Sequence, residues 1–444
     1  MPNDRRGRDR EPRTVLEFLI WQQDRTYEEL VAEFDRKARE LGESATISTR
    51  HLRRLASGER DGTTPVTRRV LQQLFGLPVD QLLTAWQDRG TGLIEPTATG
   101  KPALIEAATD RGMISMAANR ARQFALITGQ VGLTADALEQ IHEDVHELAM
   151  AYPQRPLTEI LGDLVSVQDV IFTLLEQRQR PDQAKHLYFL AGVNGGLLAK
   201  ASHDLADPHA AMTQARTAFM CADHSDHDGL RAWIRGLQSF VAYWAKRHNE
   251  AIRYAQQGAE FAARSRNTSM VWLAMNEARS WAALGNPVNT TAAIQRAEDA
   301  WGHVQPDEMD ELGGIATFSR ARQLYYAADA LAWLPSEAEQ AERYSTQAVA
   351  EYSDASRPEW AFGDQAGSHS DLAIARIQRG EVEGAAEALT LVLDLPPEQR
   401  INGIIKSVEH VHQVLSKAPA SGEAHELQER IEFFTRSPMK ALPM

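Results

Sequence analysis

Residues 228–264 read DGLRAWIRGLQSFVAYWAKRHNEAIRYAQQGAEFAAR. Apolar side chains recur here at three- to four-residue spacing, which specifies helix rather than strand. His248-Asn249 interrupts the pattern, so the segment predicts two helices, 228–246 and 249–264. Ala251, Ala255 and Ala259 recur every four residues, beside Tyr254 and Phe261. Small residues let neighbouring helices approach, and aromatics fill the gaps between layers. Ala211, Ala215 and Phe219 repeat the theme upstream. Outward from this pair the same rhythm predicts 182–202 with 208–222, 268–284 with 288–303, 311–333 with 336–353, 358–379 with 382–393, and 398–416 with 421–436. The breaks are Asp207-Pro208, Gly285-Asn286-Pro287, Pro335 and Gly380. Two helices at 111–129 and 134–151 and a longer one at 158–179 precede these pairs. Trp233, Trp244, Trp272, Trp281 and Trp301 read as core.

The repeat spacing is roughly 40–50 residues, against about 34 for the tetratricopeptide unit. No helix pair can bury its apolar face alone, so the body is expected to be a tetratricopeptide-like α-solenoid and the chain all-α. At roughly 100–200 residues per domain, 444 residues suit two to four domains. The single cysteine, Cys221, excludes an intramolecular disulfide framework and a Cys-based zinc or iron–sulfur site. No apolar run approaches about 18 residues, and VLEFLIW behind the charged start contains Glu17, so neither a membrane span nor a signal peptide is expected. A cytoplasmic protein follows as the expectation.

The net charge of −14 is unevenly spread. Residues 1–90 hold 16 Lys/Arg and 15 Asp/Glu, a net of +1, and the remainder carries −15. An acidic body repels polyanions, so nucleic-acid binding is confined to the beginning of the chain. There, 1–13 reads as a disordered arm and 14–86 as five short helices. Val15, Leu16, Phe18, Leu19 and Trp21 mark the first. Thr26 with Glu29 forms a capping box ahead of Leu30, Phe34, Ala38 and Leu41. Ser48 caps a third helix, 49–56; Pro65 opens a fourth, and 78–86 makes a fifth. On the third, Leu52, Leu55 and Ala56 share one face, with Thr49, Arg50 and Arg53 opposite. This is the pattern of a helix-turn-helix reader, whose Arg side chains can donate two bonds to guanine. Ser48 suits a phosphate contact, and Arg54, Arg68 and Arg69 suit the DNA backbone. The connection 42–47 is longer than the usual three- to four-residue turn. Gly and Pro among Thr and Ala make 87–110 the linker, followed by a helical connector to 180 and the solenoid over 181–437.

Other motifs point to rival chemistries. His142-Glu143-Asp144-Val145-His146 matches the five-residue zinc-protease signature, but no Gly and third His follow, and a solvated helix face explains it as well. His224-Ser225-Asp226-His227-Asp228 has metal-ligand residue types at a junction where a polar loop is expected. Gly192-Val193-Asn194-Gly195-Gly196 lies within a helical pattern and suits close packing. Phosphate-loop, dinucleotide and nucleophile-elbow motifs are absent from the sequence. No catalytic residue, metal or cofactor is therefore expected. A solenoid binds in its concave groove, lined by the first helix of each pair. Asn194, Arg231, Arg235, Gln238, Asn276, Arg320 and Gln323 are the polar candidates there.

Several stretches carry a family resemblance: DRTYEELVAEFDRKARELGESATISTRHLRRLASGE, RRVLQQLFGLPVDQLL, LYFLAGVNGGLLAKASHDL, HDGLRAWIRGLQSFVAYW and YYAADALAWL. In combination the chain resembles actinobacterial, Streptomyces-type regulators that join a Cro/C1-like (XRE-type) helix-turn-helix to a tetratricopeptide-like body. The resemblance implies a sequence-specific regulator of specialised metabolism or development. By more distant analogy it is similar to peptide-sensing regulators in which a signal in the groove changes dimer geometry. The implied partners are double-stranded DNA, a second copy of the chain, and a peptide, small molecule or partner protein. The DNA role carries over to Thr49, Arg50, Arg53 and their neighbours, whereas the ligand does not carry over. The alternatives are a protein-interaction scaffold or anti-activator, and a zinc hydrolase centred on His142, Glu143 and His146.

Overall fold

The computed structural model describes residues 13–22, 26–40, 46–59, 63–75, 79–84, 133–419, 421–436 and 439. Among them the regular elements are helices, without a β-strand, so the fold is all-α. The expected linker 87–110, the helix at 111–129 and the arm up to residue 12 lie outside the described residues. The chain divides into two compact units, Met1–Pro102 and Ala103–Met444.

The first unit contains α1 (Val15–Gln22), α2 (Tyr27–Glu40), α3 (Thr49–Ala56), α4 (Pro65–Phe75) and α5 (Val79–Leu82). The capping box at α2 forms in both directions. The Glu29 N–H donates to Thr26 Oγ1 at 3.2 Å, and the Thr26 N–H donates to Glu29 Oε2 at 2.8 Å. One turn apart, Leu30, Phe34 and Ala38 then bury against α3 and α4. Thr14 closes the bundle: its hydroxyl donates to the Ala56 carbonyl at 2.6 Å and caps α1 by accepting from the Glu17 N–H. Helix α5 is shorter than the predicted 78–86. The Thr84 carbonyl accepts from the Val15 N–H at 3.1 Å instead of continuing a helix.

Among the described residues of the second unit, the first helices are α6 (Ala135–Ala151) and α7 (Leu157–Leu175). Antiparallel pairs follow: α8 (Pro181–Asp204) with α9 (Pro208–His224), α10 (Asp228–Trp244) with α11 (His248–Ser265), and α12 (Ser269–Ala283) with α13 (Pro287–Ala300). After the short α14 (Glu308–Glu311) come α15 (Arg320–Ala332) with α16 (Ala338–Glu351), α17 (Phe362–Gln378) with α18 (Val382–Leu393), and α19 (Asn402–Leu415) with α20 (Gly422–Thr435). Three successive turns use one geometry. Ala206, Asp226 and Lys246 take left-handed φ of 63°, 49° and 60°. The next residue's N–H reaches back five positions, Asp207 to Ser202, His227 to Ala222 and Arg247 to Ala242, which satisfies an orphan carbonyl at each helix end.

The predicted helix 311–333 is corrected to α14, a loop and α15. Gly313 and Gly314 adopt φ of 62° and 52°, and Ser319 starts a new helix by accepting from the Arg322 N–H. A side chain at Gly314 would strike the Ala149 carbonyl, which takes the Ile315 N–H at 3.1 Å. The same loop therefore docks on α6.

Successive first helices are held by a ladder of glycine and tryptophan. The Trp233 ring of α10 lies against Gly196 of α8, and the Trp272 ring of α12 lies against Gly236, 2.6 Å from where a Cβ would stand. The Gly192-to-Gly196 run thus serves close packing. Stacking curves the unit until its ends meet: α19 touches α8, the Phe362 N–H donates to the Pro153 carbonyl, and Gln154 donates to the Pro358 carbonyl.

Two outcomes follow for chemical denaturation. Gly196→Ala is expected to destabilise the protein by about 1–3 kcal/mol through overpacking against Trp233. Ala206→Gly, at an exposed left-handed position, is expected to stabilise it by about 1 kcal/mol.

Candidate functional site

In the first unit, α3 buries Leu52, Leu55 and Ala56 and turns Arg50, Arg53 and Arg54 to solvent. Ser48 caps it, with its Oγ accepting from the His51 N–H at 3.2 Å. Thr49 is half-buried at the helix start. The Arg53 guanidinium lies 5.2 Å from the centre of the Tyr27 ring on α2. Burial, then Glu17, raises the Tyr27 phenol pKa, and Arg53 opposes them. Arg54 Nε stands 3.7 Å from Glu59. Arg68 and Arg69 lie on α4, the former half-buried and the latter exposed. The structure therefore brings Ser48, Thr49, Arg50 and Arg53 onto one short capped helix. It carries no acidic residue in its first turn.

The groove candidates of the second unit are placed differently. Asn194, Gln238, Asn276 and Gln323 are all buried. Asn194 Nδ2 donates to the Leu164 carbonyl at 3.0 Å, and Asn276 Nδ2 donates to the Gly236 carbonyl at 3.1 Å. Gln238 Nε2 reaches the Ala215 carbonyl, and Gln323 Oε1 accepts from the Trp301 indole. Arg231 is tied to Asp223, Asp226 and Asp228. Arg235 lies 3.9 Å over the Phe219 ring, and Arg320 lies 4.3 Å over the Trp301 ring. These seven residues join helices to one another and do not line the interior cavities.

The interior face instead carries three triads, each a carboxylate that takes a tyrosine hydroxyl and a cation. The Tyr152 hydroxyl donates to Asp204 at 2.9 Å, beside Lys200 at 2.6 Å. The Tyr352 hydroxyl donates to Asp364 at 3.1 Å, beside Arg322 at 2.7 Å. The Tyr243 hydroxyl donates to Asp329 at 3.0 Å, and Arg279 Nε donates to the same oxygen at 2.5 Å. Arg279 is only 1% exposed, and its guanidinium sits 4.3 Å from both the Tyr243 and Tyr326 ring centres. Burial opposes its charge most strongly, but Asp329 together with Tyr243, Tyr326 and Tyr325 outweighs it, and its pKa lies above the ordinary value. Nearby, burial and then Asp329 push the Asp371 carboxyl well above its usual range. Burial lowers the His410 pKa to about 4. Two cavities adjoin these groups. One, of about 100 Å³, lies among Phe240, Trp272, Phe318 and Ile404. The other, of about 200 Å³, is bounded by Tyr243, Asp329, Trp333, Asp371 and His410.

Sequence reading missed Arg279, Asp329 and Asp371. The available signal was a charge set inside an apolar helical run, as Asp329 is within YYAADALAWL.

The metal-like motifs are occupied by other contacts. His142 stacks on His186 with ring centres 5.4 Å apart. His224 stacks on Tyr188, His227 Nδ1 caps α10 by accepting from the Leu230 N–H, and Asp228 pairs with Arg264. Among the described residues, no group of three or more His, Cys, Asp or Glu is arranged to hold a metal. No protein-family model matches the chain, and no curated protein shows significant similarity to it.

Asp329→Ala leaves the Arg279 charge buried and unanswered, and is expected to cost about 3–5 kcal/mol in chemical denaturation. The unfolded chain protonates His410 near pH 6.5, whereas the folded chain does so only near pH 4. Its contribution is complete above pH 6.5 and is lost as pH falls towards 4, amounting to at most about 3 kcal/mol. His410→Gln should flatten the stability–pH curve over that window.

Proposed function

We propose that this protein is a non-enzymatic, sequence-specific DNA-binding transcriptional regulator. In this reading the first unit is a helix-turn-helix reader, and the second is a tetratricopeptide-like domain that dimerises and senses a signal. One observation carries the proposal: α3 is a short capped helix with its apolar face buried on α2 and its arginines turned outward. Such a helix can enter the major groove at its amino-terminal end, where Arg50 and Arg53 would meet base edges. Ser48, Arg54, Arg68 and Arg69 would then contact phosphates and fix the register. The charge distribution supports this division, because the acidic second unit repels DNA and leaves contact to the first.

Dimerisation would set two α3 helices about one turn of DNA apart, so the half-site spacing would report the dimer. A signal bound in the second unit would shift it between two arrangements of different DNA affinity. Among the described residues, no helix is long and apolar enough to cross a membrane. A cytoplasmic location is part of the proposal.

Genome-wide mapping of bound DNA, with Arg50→Ala/Arg53→Ala beside the wild type, tests the reading. Discrete wild-type sites lost in the variant are expected, with a drop of about 10- to 100-fold in affinity for the best site. Equal affinity of the purified wild type for its best site and for random competitor would sink the proposal and favour a scaffold.

A further inference from the structure

The larger interior cavity is walled by four helices: Tyr243 and Trp244 come from α10, Asp329 from α15 with Trp333 at its cap, Asp371 from α17 and His410 from α19. Asp371 is 1% exposed, and its Oδ2 has no hydrogen-bond partner among the described residues. Trp244 Nε1 and His248 Nδ1, on the same cavity, also lack one. Buried polar atoms left unpaired cost about 1–3 kcal/mol each, so this concentration of them is explained by a guest.

The buried carboxylate oxygen without a partner indicates the sign of the guest. Arg279 Nε is committed to Asp329. Lys406 is held by Glu409 at 2.7 Å. Lys246 also lines the cavity but is exposed to solvent. Asp371 lies deeper, and burial and Asp329 hold its carboxyl well above the usual range, so an ammonium seated on its unpartnered Oδ2 would restore its charge, whereas a carboxylate there would face Asp329 as well. The walls agree with the charges. Trp333 stacks on His410 with ring centres 3.9 Å apart, and Trp244 stands edge-on to Tyr243 at 5.3 Å. Aromatic faces attract cations and accept flat bodies. A cavity of about 150 Å³ holds benzene, so about 200 Å³ suits one fused ring system with a short arm.

We propose that the cavity between α10, α15, α17 and α19 binds a small organic amine, its ammonium bonded to Asp371 and its ring system lying against Trp244 and Trp333. The site deepens the reading of the second unit as a sensor and rests on it for its consequence, although binding itself is measured without DNA. Trp244 and Ser407 line both interior cavities, and Ser407 belongs to α19, the helix that touches α8. A guest at this seam presses on the contact that joins the ends of the unit.

The test titrates the full-length protein with tryptamine, read by calorimetry and by the shift in melting temperature. Indole-3-acetate carries the same ring with the opposite charge, and indole-3-ethanol is neutral. Saturable tryptamine binding, tighter than either analogue by about tenfold or more, is the expected result. Asp371→Asn should lose about tenfold or more of that affinity, and Ser407→Leu should block the cavity. Absence of saturable binding, equal affinity for the acid and the amine, or wild-type affinity in a folded Asp371→Asn would overturn the site. Should Asp371→Asn fail to fold, the wild type's preference for amine over acid decides alone. Affinity for the best genomic site, measured on the same preparation, separates the two readings. Tryptamine binding without DNA preference sinks the regulator and keeps the site, and DNA preference without tryptamine binding does the reverse.

Discussion

A guanidinium that is 1% exposed exists in a folded protein only if its charge is answered. Arg279 on α12 meets that demand with Asp329 on α15, and the Tyr243 hydroxyl on α10 takes part. Three consecutive first helices are thereby fixed at one point. The indole of Trp333 donates to the Tyr243 oxygen at 2.9 Å and extends the network. Shifting any of these helices by one turn would strand a charge in the interior. The network thus sets the register of the stack where apolar contacts alone would tolerate sliding.

The two kinds of contact divide the work. Glycine opposite tryptophan sets how closely successive layers approach, and it is indifferent to polarity. The Tyr–Asp–cation triads set which residues face inward, and they line the interior with groups that can recognise polar ligands. The first unit follows the opposite plan. It buries an apolar centre around Leu30, Phe34, Leu52 and Leu55 and turns Arg50, Arg53 and Arg54 outward. One unit keeps its chemistry within and the other wears it on the surface, which suits the roles proposed for them.

Helices were legible in the sequence because their signals are local. The Thr26–Glu29 box, the Ser48 cap and the Pro208 and Pro287 starts depend on neighbours a few residues away, and each stands in the structure. The break at Gly313-Gly314 was hidden, because its cause is a contact with Ala149, far away in the chain. The interior site was hidden for a related reason. Asn194, Gln238, Asn276 and Gln323 share their helices with the interior residues and differ from them only by rotation about the axis. Polarity alone does not say which face of a wholly buried helix turns inward. Pairing does, and Arg279 and Asp329 are 50 residues apart.

Most stacked helical arrays interact only with their nearest neighbours and unravel from the ends. This unit ties Pro153 to Phe362, and α8 to α19. Those tethers span much of its length, so the entropy of closing a long loop is settled before they form. The helices between those tethers cannot fray one at a time, and that stretch gains and loses its structure as a cooperative block. A copy or deletion of one helix pair, tolerated in an open array, would here pull the two ends out of register.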